Sequence, residues 1–175
     1  MPINPGFIVN SDDLATSYTT AVYPVGTRVF VNPADLVDWT GLTAAVVGGG
    51  GGEAIFVFND EAATNFVRGD TIVRDTGDYA TYDGILSAAA TPKDHVLGVA
   101  QSTVEFGRWG WILRNGIGQC EGDGSVAAGD PVAVDTTGGG AVDTMFAGEE
   151  HQVIGAALTA DTGTPPLFTI DLRLD

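Results

Sequence analysis

The chain has 175 residues and a formal net charge of −16 at pH 7, with 23 acidic residues against 7 basic ones and a single lysine, Lys93. The absence of a lysine or arginine cluster argues against a nucleic-acid partner, because phosphate binding draws on clustered cations. A lone cysteine, Cys120, excludes an internal disulfide, and no apolar run approaches the ~20 residues of a membrane span, so no membrane partner is expected.

The first 60 residues differ in character from the rest. Residues 1–22 show weak periodicity, and five consecutive glycines occupy positions 48–52, a run that does not hold one conformation without neighbours. The start of the chain lacks the basic and apolar regions of a signal peptide. We predict an N-terminal arm with edge strands over 1–60, and we expect this part of the chain to bind a partner. The alternative is a plain N-terminal strand pair of the same domain.

Period-two alternation predicts strands through most of the chain. The first, 27–31, precedes the one predicted helix, 32–39, which Asn32 caps and Gly41 ends. The other predicted strands are 53–59, 71–74, 96–101, 108–114, 131–134, 153–158 and 168–174. Short strands and glycine-rich turns indicate an all-β fold. We expect a small β-barrel or a jelly-roll-like β-sandwich over 61–175, with the extended N-terminal arm before it.

Two segments are echoed later in the chain. GDTIVRDT at 69–76 resembles GDPVAVDT at 129–136, and VLGVA at 96–100 resembles VIGAA at 153–157. Both halves therefore keep the order turn, strand, turn and glycine-centred strand, which indicates an internal repeat. The alternative is chance recurrence of common hairpin residues.

Candidate catalytic residues are few. Asp-Thr-Gly occurs at 75–77 and again at 161–163, and aspartic proteases use two such triplets. Charged neighbours of the first triplet and prolines beside the second favour ordinary turns instead, in which the aspartate bonds the backbone. No serine stands in a Gly-x-Ser-x-Gly turn, and neither histidine has the context of a catalytic base. We expect no enzymatic activity and no cofactor.

Candidate metal ligands are equally sparse. His95 and His151 each precede a glycine-centred strand, but no cysteine and histidine spacing matches a transition-metal centre. The oxygen-rich loops at 59–61 and 121–125 contain the ligand type that calcium prefers. Neither follows the EF-hand spacing, so solvated turns are the favoured interpretation and no metal is predicted.

Two tryptophans stand on one face of the predicted strand 108–114. Trp109 and Trp111 are flanked by Arg108 and Arg114. The favoured interpretation places both rings in the core, and the alternative makes them anchors of a subunit interface, where tryptophan and arginine are enriched.

Residues 66–174 resemble the decoration, or cement, proteins that bind the outside of tailed-bacteriophage heads. The resemblance lies in VLGVA at 96–100, WGWILRNG at 109–116, AAGDPVAV at 127–134 and VIGAAL at 153–158, followed by the closing strand 168–174. These are patterns of small and apolar residues and not catalytic signatures.

This resemblance implies a virion structural protein on the capsid exterior, present in the host cytoplasm before assembly. Its partner would be the major capsid protein, whose subunits it would bridge, and it would itself be a homo-oligomer, with a trimer favoured. A head-fibre or tail-associated module that recognises a host surface or glycan is the alternative. Residues assigned to a capsid or subunit interface are Phe7, Ile8, Tyr18, Tyr23, Arg108, Trp109, Trp111 and Arg114.

Overall fold

The computed structural model describes residues 9–75, 81–87, 95–134, 139–146, 148, 150–163 and 166–174. The short helices are α1 (Ser11–Leu14), α2 (Pro33–Thr40), α3 (Ala44–Val47) and a 3₁₀ turn at Glu150–Gln152. The strands are β1 (Arg28–Val31), β2 (Gly52–Asn59), β3 (Thr71–Arg74), β4 (Asp83–Leu86), β5 (Val96–Val99), β6 (Trp109–Glu121), β7 (Pro131–Val134), β8 (Val142–Thr144), β9 (Val153–Ala157), β10 (Thr162–Gly163) and β11 (Pro166–Arg173). No helix in the described ranges has the length and apolar character needed to cross a membrane.

Five strands close into a barrel. β2 pairs in parallel with β4, and the ring continues through antiparallel pairs from β4 to β3, β5 and β6. β6 then pairs with β2, which closes the ring. Of the two architectures expected from the sequence, the structure has the small β-barrel.

A compact apolar core fills this barrel. Ile55, Ile72, Leu97 and Ile112 come from four different strands of the ring and are at most 1% exposed. Phe66 and Val104, from the loops that follow β2 and β5, complete the filling. Inward-facing positions of a five-stranded barrel leave room only for side chains, so the interior is packed and is not a channel.

β6 is long enough to belong to two sheets. Its first half pairs with β2 and its second half with β11, from the Asn115–Arg173 pair to the Glu121–Leu167 pair. A second sheet continues from β11 through β9 and β7 to β8, and β10 pairs with β11. The alternating residues of β11 face the core as predicted, since Phe168, Ile170 and Leu172 are at most 3% exposed.

A larger core lies outside the barrel, between its wall, the second sheet and the helices. α2 forms as predicted, because Asn32 accepts hydrogen bonds from two main-chain N–H groups of the first turn and Gly41 ends the helix in the left-handed conformation. Leu36 and Trp39 of α2 pack into this core. Arg68 binds the end of α2 to the barrel by donating to the carbonyl oxygens of Trp39 and Gln101.

The predicted repeat is confirmed in the strand pairing. Thr71, Ile72 and Val73 pair with Val99, Gly98 and Val96, and Pro131, Val132 and Ala133 pair with Ala156, Gly155 and Val153. Each pair skips one residue at the same place, Leu97 in one and Ile154 in the other, so both contain an equivalent β-bulge. The aspartate before each first strand also accepts an N–H from three residues earlier: Asp70 from Val67, and Asp130 from Ala127.

One sequence-based placement is corrected. The N-terminal part predicted over 1–60 contains β2, which the sequence assigns to edge strands. β2 instead pairs with β1, β4 and β6 and forms a wall of the barrel, because four consecutive residues, 54–57, are buried and can face two cores. β1 is an edge strand as predicted, and the arm itself begins with residues 1–8, which lie outside the described part of the chain.

Candidate binding surface at one end of the barrel

The N-terminal members of the predicted interface separate into two groups. Phe7 and Ile8 lie outside the described residues. Tyr18 and Tyr23 lie edge-on to one another and to Phe56, with ring centroids 5.3–6.4 Å apart. Burial and the nearby Asp13 raise the pKa of Tyr18 to about 12, so its hydroxyl stays protonated and donates to the Asp13 carbonyl oxygen.

The two tryptophans of β6 lie on one face, as predicted, but their exposure differs. Trp111 is completely buried and packs on Phe56 with ring centroids 5.0 Å apart. Trp109 is half-buried against Phe58, at 4.8 Å. The core interpretation is therefore confirmed for Trp111, while Trp109 is only partly buried and its interface role remains a prediction.

The two arginines that flank them also differ. Arg108 lies near the surface and forms an ion pair of 2.7 Å with Glu105. Arg114 is 8% exposed and turns toward the barrel end. Its Nη1 donates to the Leu97 carbonyl oxygen over 3.5 Å.

Three arginines converge at this end of the barrel. Glu53 Oε1 lies 3.5 Å from Arg114 Nε and 3.7 Å from Arg28 Nη1, so two guanidinium groups share one carboxylate oxygen. The third, Arg74, stacks on the ring of Tyr82 with its guanidinium carbon 4.6 Å from the centroid, a cation–π contact. We call Arg28, Glu53, Arg74, Tyr82 and Arg114 the arginine cluster.

The strand pattern explains why these side chains meet. Glu53, Arg74 and Arg114 each stand two positions along a strand from an isoleucine of the barrel core. Side chains two apart share a face of a strand, so the charged groups continue the inner face beyond the apolar filling. The cluster therefore caps one end of the barrel core.

The cluster is electrostatically unfavourable for its most buried member. Desolvation, with the nearby positive charges of Arg28 and Arg74, lowers the pKa of Arg114, and the carboxylate of Glu53 acts in the opposite direction. An additional negative group at this place would reduce that repulsion.

An exposed aromatic ring adjoins the cluster. Phe30 stands two residues after Arg28 on the solvent-facing side of β1 and is 73% exposed, the highest value among the exposed large apolar side chains of the described residues. The others are Val22, Val46, Val67, Phe106, Phe146 and Leu158. The sequence does indicate that Arg28 and Phe30 are exposed, because they alternate with the apolar Val29 and Val31. It does not indicate that strand pairing brings Arg28 close to Arg114.

A small pocket lies between α2 and α3. It has a volume of ≈ 340 Å³ and is lined by Pro33, Ala34, Val37, Asp38, Ala44 and Gly48. Among the described residues of the lining, which are mostly apolar, Asp38 is the one titratable group. Such a lining suits an apolar side chain better than catalysis.

The described residues do not assemble the other candidates into a site. Within the described ranges no group of three or more acidic, histidine or cysteine side chains is placed to hold a metal ion. The carboxylates of Asp123 and Asp143 instead lie on either side of the Ser125 hydroxyl, at 2.7 and 2.6 Å, and its single proton can be donated to one of them at a time. Asp161 accepts from the Gly124 N–H, and the main-chain N–H of Asp75 donates to the Asp83 carbonyl oxygen. Thr76 and Gly77 lie outside the described residues.

Comparison with solved structures gives an informative likeness. No family model and no curated protein matches the chain. Among solved structures, the crystal structure of the N base of the head fibre gp8.5 of bacteriophage phi29 matches with a TM-score of 0.50 over 70% of this chain and 96% of that one. The two chains share this fold. Their sequences are 14% identical, so the likeness establishes the fold and no more.

Proposed function

We propose that this chain is a structural protein of a bacteriophage head that binds the outer surface of the capsid and stabilises the shell by bridging major capsid protein subunits. The observation that carries the proposal is the fold shared with the phi29 head-fibre base, which covers 96% of that chain. Residue patterns along 66–174 that resemble decoration proteins point in the same direction.

The surface properties support attachment to a larger body. Large apolar side chains such as Phe30 and Phe106 are more than half exposed, and exposed aromatic rings are typical of sites that contact other proteins. Contacts that are weak singly become strong when many copies bind one shell. The negative charge of each copy keeps the unassembled protein soluble.

A second candidate function is favoured by the same likeness. The matched structure is the base of a fibre, so this chain would serve as the attachment module of a head fibre or of a tail component that recognises a host surface or glycan. In that case few copies per particle are expected, whereas a cement protein that bridges subunits over the shell requires many.

The proposal includes the partners and the state of the protein. The chain acts without catalysis, binds neither nucleic acid nor membrane, and associates as a homo-oligomer, with a trimer favoured. Sedimentation equilibrium of the purified chain measures its mass directly. A mass equal to the 18.0 kDa of one chain at all concentrations would contradict the oligomer.

The test is fractionation of the native source on a density gradient, followed by quantitative mass spectrometry of each fraction. Co-sedimentation with filled particles at a copy number close to that of the major shell protein supports the cement role. Co-sedimentation at a few copies per particle supports the fibre or tail role. Recovery only among soluble proteins would contradict both.

A shortened variant tests whether the N-terminal arm contributes to attachment. Removing residues 1–8 keeps Val9 and Leu14, which are buried in the outer core, so the fold should persist. We expect weaker binding to purified particles with an unchanged thermal unfolding midpoint. Full binding by the shortened chain would show that the arm is not part of the attachment site.

A further inference from the structure

We propose that the arginine cluster, together with Phe30, is a docking site for an acidic side chain of a partner protein. This inference goes beyond the proposed function, because it names the chemistry of the group that is bound, and it does not require that the partner is a capsid. It is carried by the arrangement of Arg28, Glu53 and Arg114 and by the exposure of Arg28 and Phe30.

Arg28 has donor capacity for a second carboxylate. The distance of 3.7 Å from Arg28 Nη1 to Glu53 Oε1 exceeds the ~2.7–2.9 Å of strong charge-assisted hydrogen bonds. A guanidinium carries five N–H donors, and the side chain of Arg28 is 45% exposed. An incoming carboxylate can therefore reach Arg28 from solvent while Glu53 continues to bridge to Arg114.

The surroundings strengthen such a bond. The side chain of Arg114 is only 9% exposed, and Arg74 lies against the Tyr82 ring on the other side of the cluster. A charge interaction beside such buried groups is screened less by water than one on an open surface. A carboxylate bound at Arg28 would also offset the effect of the Arg28 charge on Arg114.

Phe30 argues for a protein as the source of the carboxylate. The ring projects from the same face of β1 as Arg28 and is 73% exposed. A free inorganic anion gains nothing from an aromatic ring, whereas an acidic side chain with an apolar neighbour contacts both. Arginine and aromatic side chains are also the residues that dominate binding at protein interfaces.

The charge of the whole chain limits which partner fits. At −16 the molecule repels a nucleic acid, and a second copy meets the same repulsion, so the contacts of the proposed homo-oligomer lie elsewhere on the chain and must overcome it. The repulsion weakens beyond the ~8 Å screening length of physiological salt, but the approach of a strongly negative body still meets it. The fitting partner is therefore a different protein that presents an isolated Asp or Glu on a neutral or basic surface.

A titration followed by NMR of arginine Nε–H groups tests the site. The probe is a blocked tripeptide Leu-Glu-Leu, its matched control is Leu-Gln-Leu, and a third arm uses inorganic phosphate. We expect saturable shifts at Arg28 and Arg114 with the glutamate peptide only, and none at Arg173, which is exposed and paired with Asp171. Equal responses to both peptides, no response, or a response to phosphate alone would overturn the proposal.

Two variants locate the binding. Arg28→Gln should weaken binding of the glutamate peptide about tenfold, the effect of losing one charge-assisted hydrogen bond, and Phe30→Ala should weaken it less. Both side chains are well exposed, so folding should persist. Arg173→Gln is the control and should bind as the wild type does. Wild-type affinity in Arg28→Gln would refute the site.

Particle binding separates this inference from the proposed function. If the wild type binds purified phage particles and Arg28→Gln does not, the shell presents the acidic group. If both bind equally, the cluster does not face the shell and the docking proposal fails for that partner. If the wild type does not bind particles, the proposed function fails, and the peptide titration still decides the docking site.

Discussion

Asp70 is a carboxylic acid in an unusual place, at the junction of the barrel and the second sheet. It is 5% exposed, and its carboxylate accepts the N–H of Val67 over 2.7 Å. Burial, reinforced by the charge of Glu121 and partly opposed by the hydrogen bond from Val67, raises the pKa of Asp70 from 3.8 to about 6. The folded protein therefore binds this proton more tightly than the unfolded chain does.

The first prediction concerns the pH dependence of stability. A raised pKa in the folded state adds stability that is complete below pH ~4 and is lost as pH rises through ~6, about 3 kcal/mol at ~1.4 kcal/mol per pH unit. Asp70→Asn should remove this loss and make the protein more stable than the wild type at pH 7. Urea unfolding of both proteins across this pH range measures the difference.

The repeat provides a matched control for this prediction. Asp130 accepts an N–H in the equivalent turn, but its side chain is only half-buried. Asp130→Asn should therefore differ from the wild type much less than Asp70→Asn does. If the free energy of unfolding depends on pH in the same way in the wild type and in Asp70→Asn, ionisation of Asp70 does not destabilise the folded protein.

The two repeated bulges place a glycine against a neighbouring strand. A side-chain carbon at Gly98 would overlap the carbonyl oxygen of Leu113 on β6, and one at Gly155 would overlap that of Asp171 on β11. These are main-chain atoms held in sheets, so they do not move aside easily. Both strands of the repeat therefore need a glycine at this position, because any side chain there would overlap the neighbouring strand.

The second prediction follows from these contacts. Gly98→Ala and Gly155→Ala should each lower the free energy of unfolding by about 2 kcal/mol or more, the usual scale of overpacking. Gly49→Ala is the control, since no atom lies within 4 Å of the added carbon. Denaturant titration compares the three variants. A loss in Gly98→Ala no larger than that in Gly49→Ala would contradict the interpretation.

The predictability of the elements follows their periodicity. α2, β3 and β7 are found where the sequence places them, since caps and alternation are local signals. β4 was missed because Asp83–Leu86 offers only two apolar residues after a glycine, and its place comes from pairing with β2 and β3. The extension of β6 to Glu121 was missed because glycines at 116 and 118 interrupt the pattern.

The candidate site was less predictable than the fold. Arg114 was named from its position beside the tryptophans, but its partners come from other strands. Arg28 is 25 residues from Glu53 in the chain, and Arg74 is 40 residues from Arg114. The β1–β2 pairing brings Arg28 to Glu53, and closure of the ring between β2 and β6 adds Arg114. No local pattern encodes either pairing.

The charge of the whole molecule gives a third prediction. A chain at −16 repels itself when folded, and salt shortens the screening length from ~30 Å at 0.01 M to ~8 Å at 0.15 M. The thermal midpoint should therefore rise over this range by a few degrees, the shift that about 1 kcal/mol produces in a chain of this size. Differential scanning calorimetry measures it.

The isoelectric point provides the control for the salt series. Near pH 4.1 the net charge of the chain is close to zero, so the same salt series should leave the midpoint nearly unchanged. An equal rise at both pH values would assign the effect to general salting-out and not to self-repulsion.

The double membership of β6 has a mechanical consequence. Because one unbroken strand pairs with β2 and then with β11, tension that draws the barrel away from the second sheet runs along covalent main-chain bonds. The seven residue pairs between β6 and β11 then resist by sliding together in shear, and cannot open one after another like a zipper. A molecule with this arrangement transmits an applied force from the barrel to the second sheet before the pairing between β6 and β11 breaks. Force spectroscopy on chains tethered through each sheet would measure the force at which this happens.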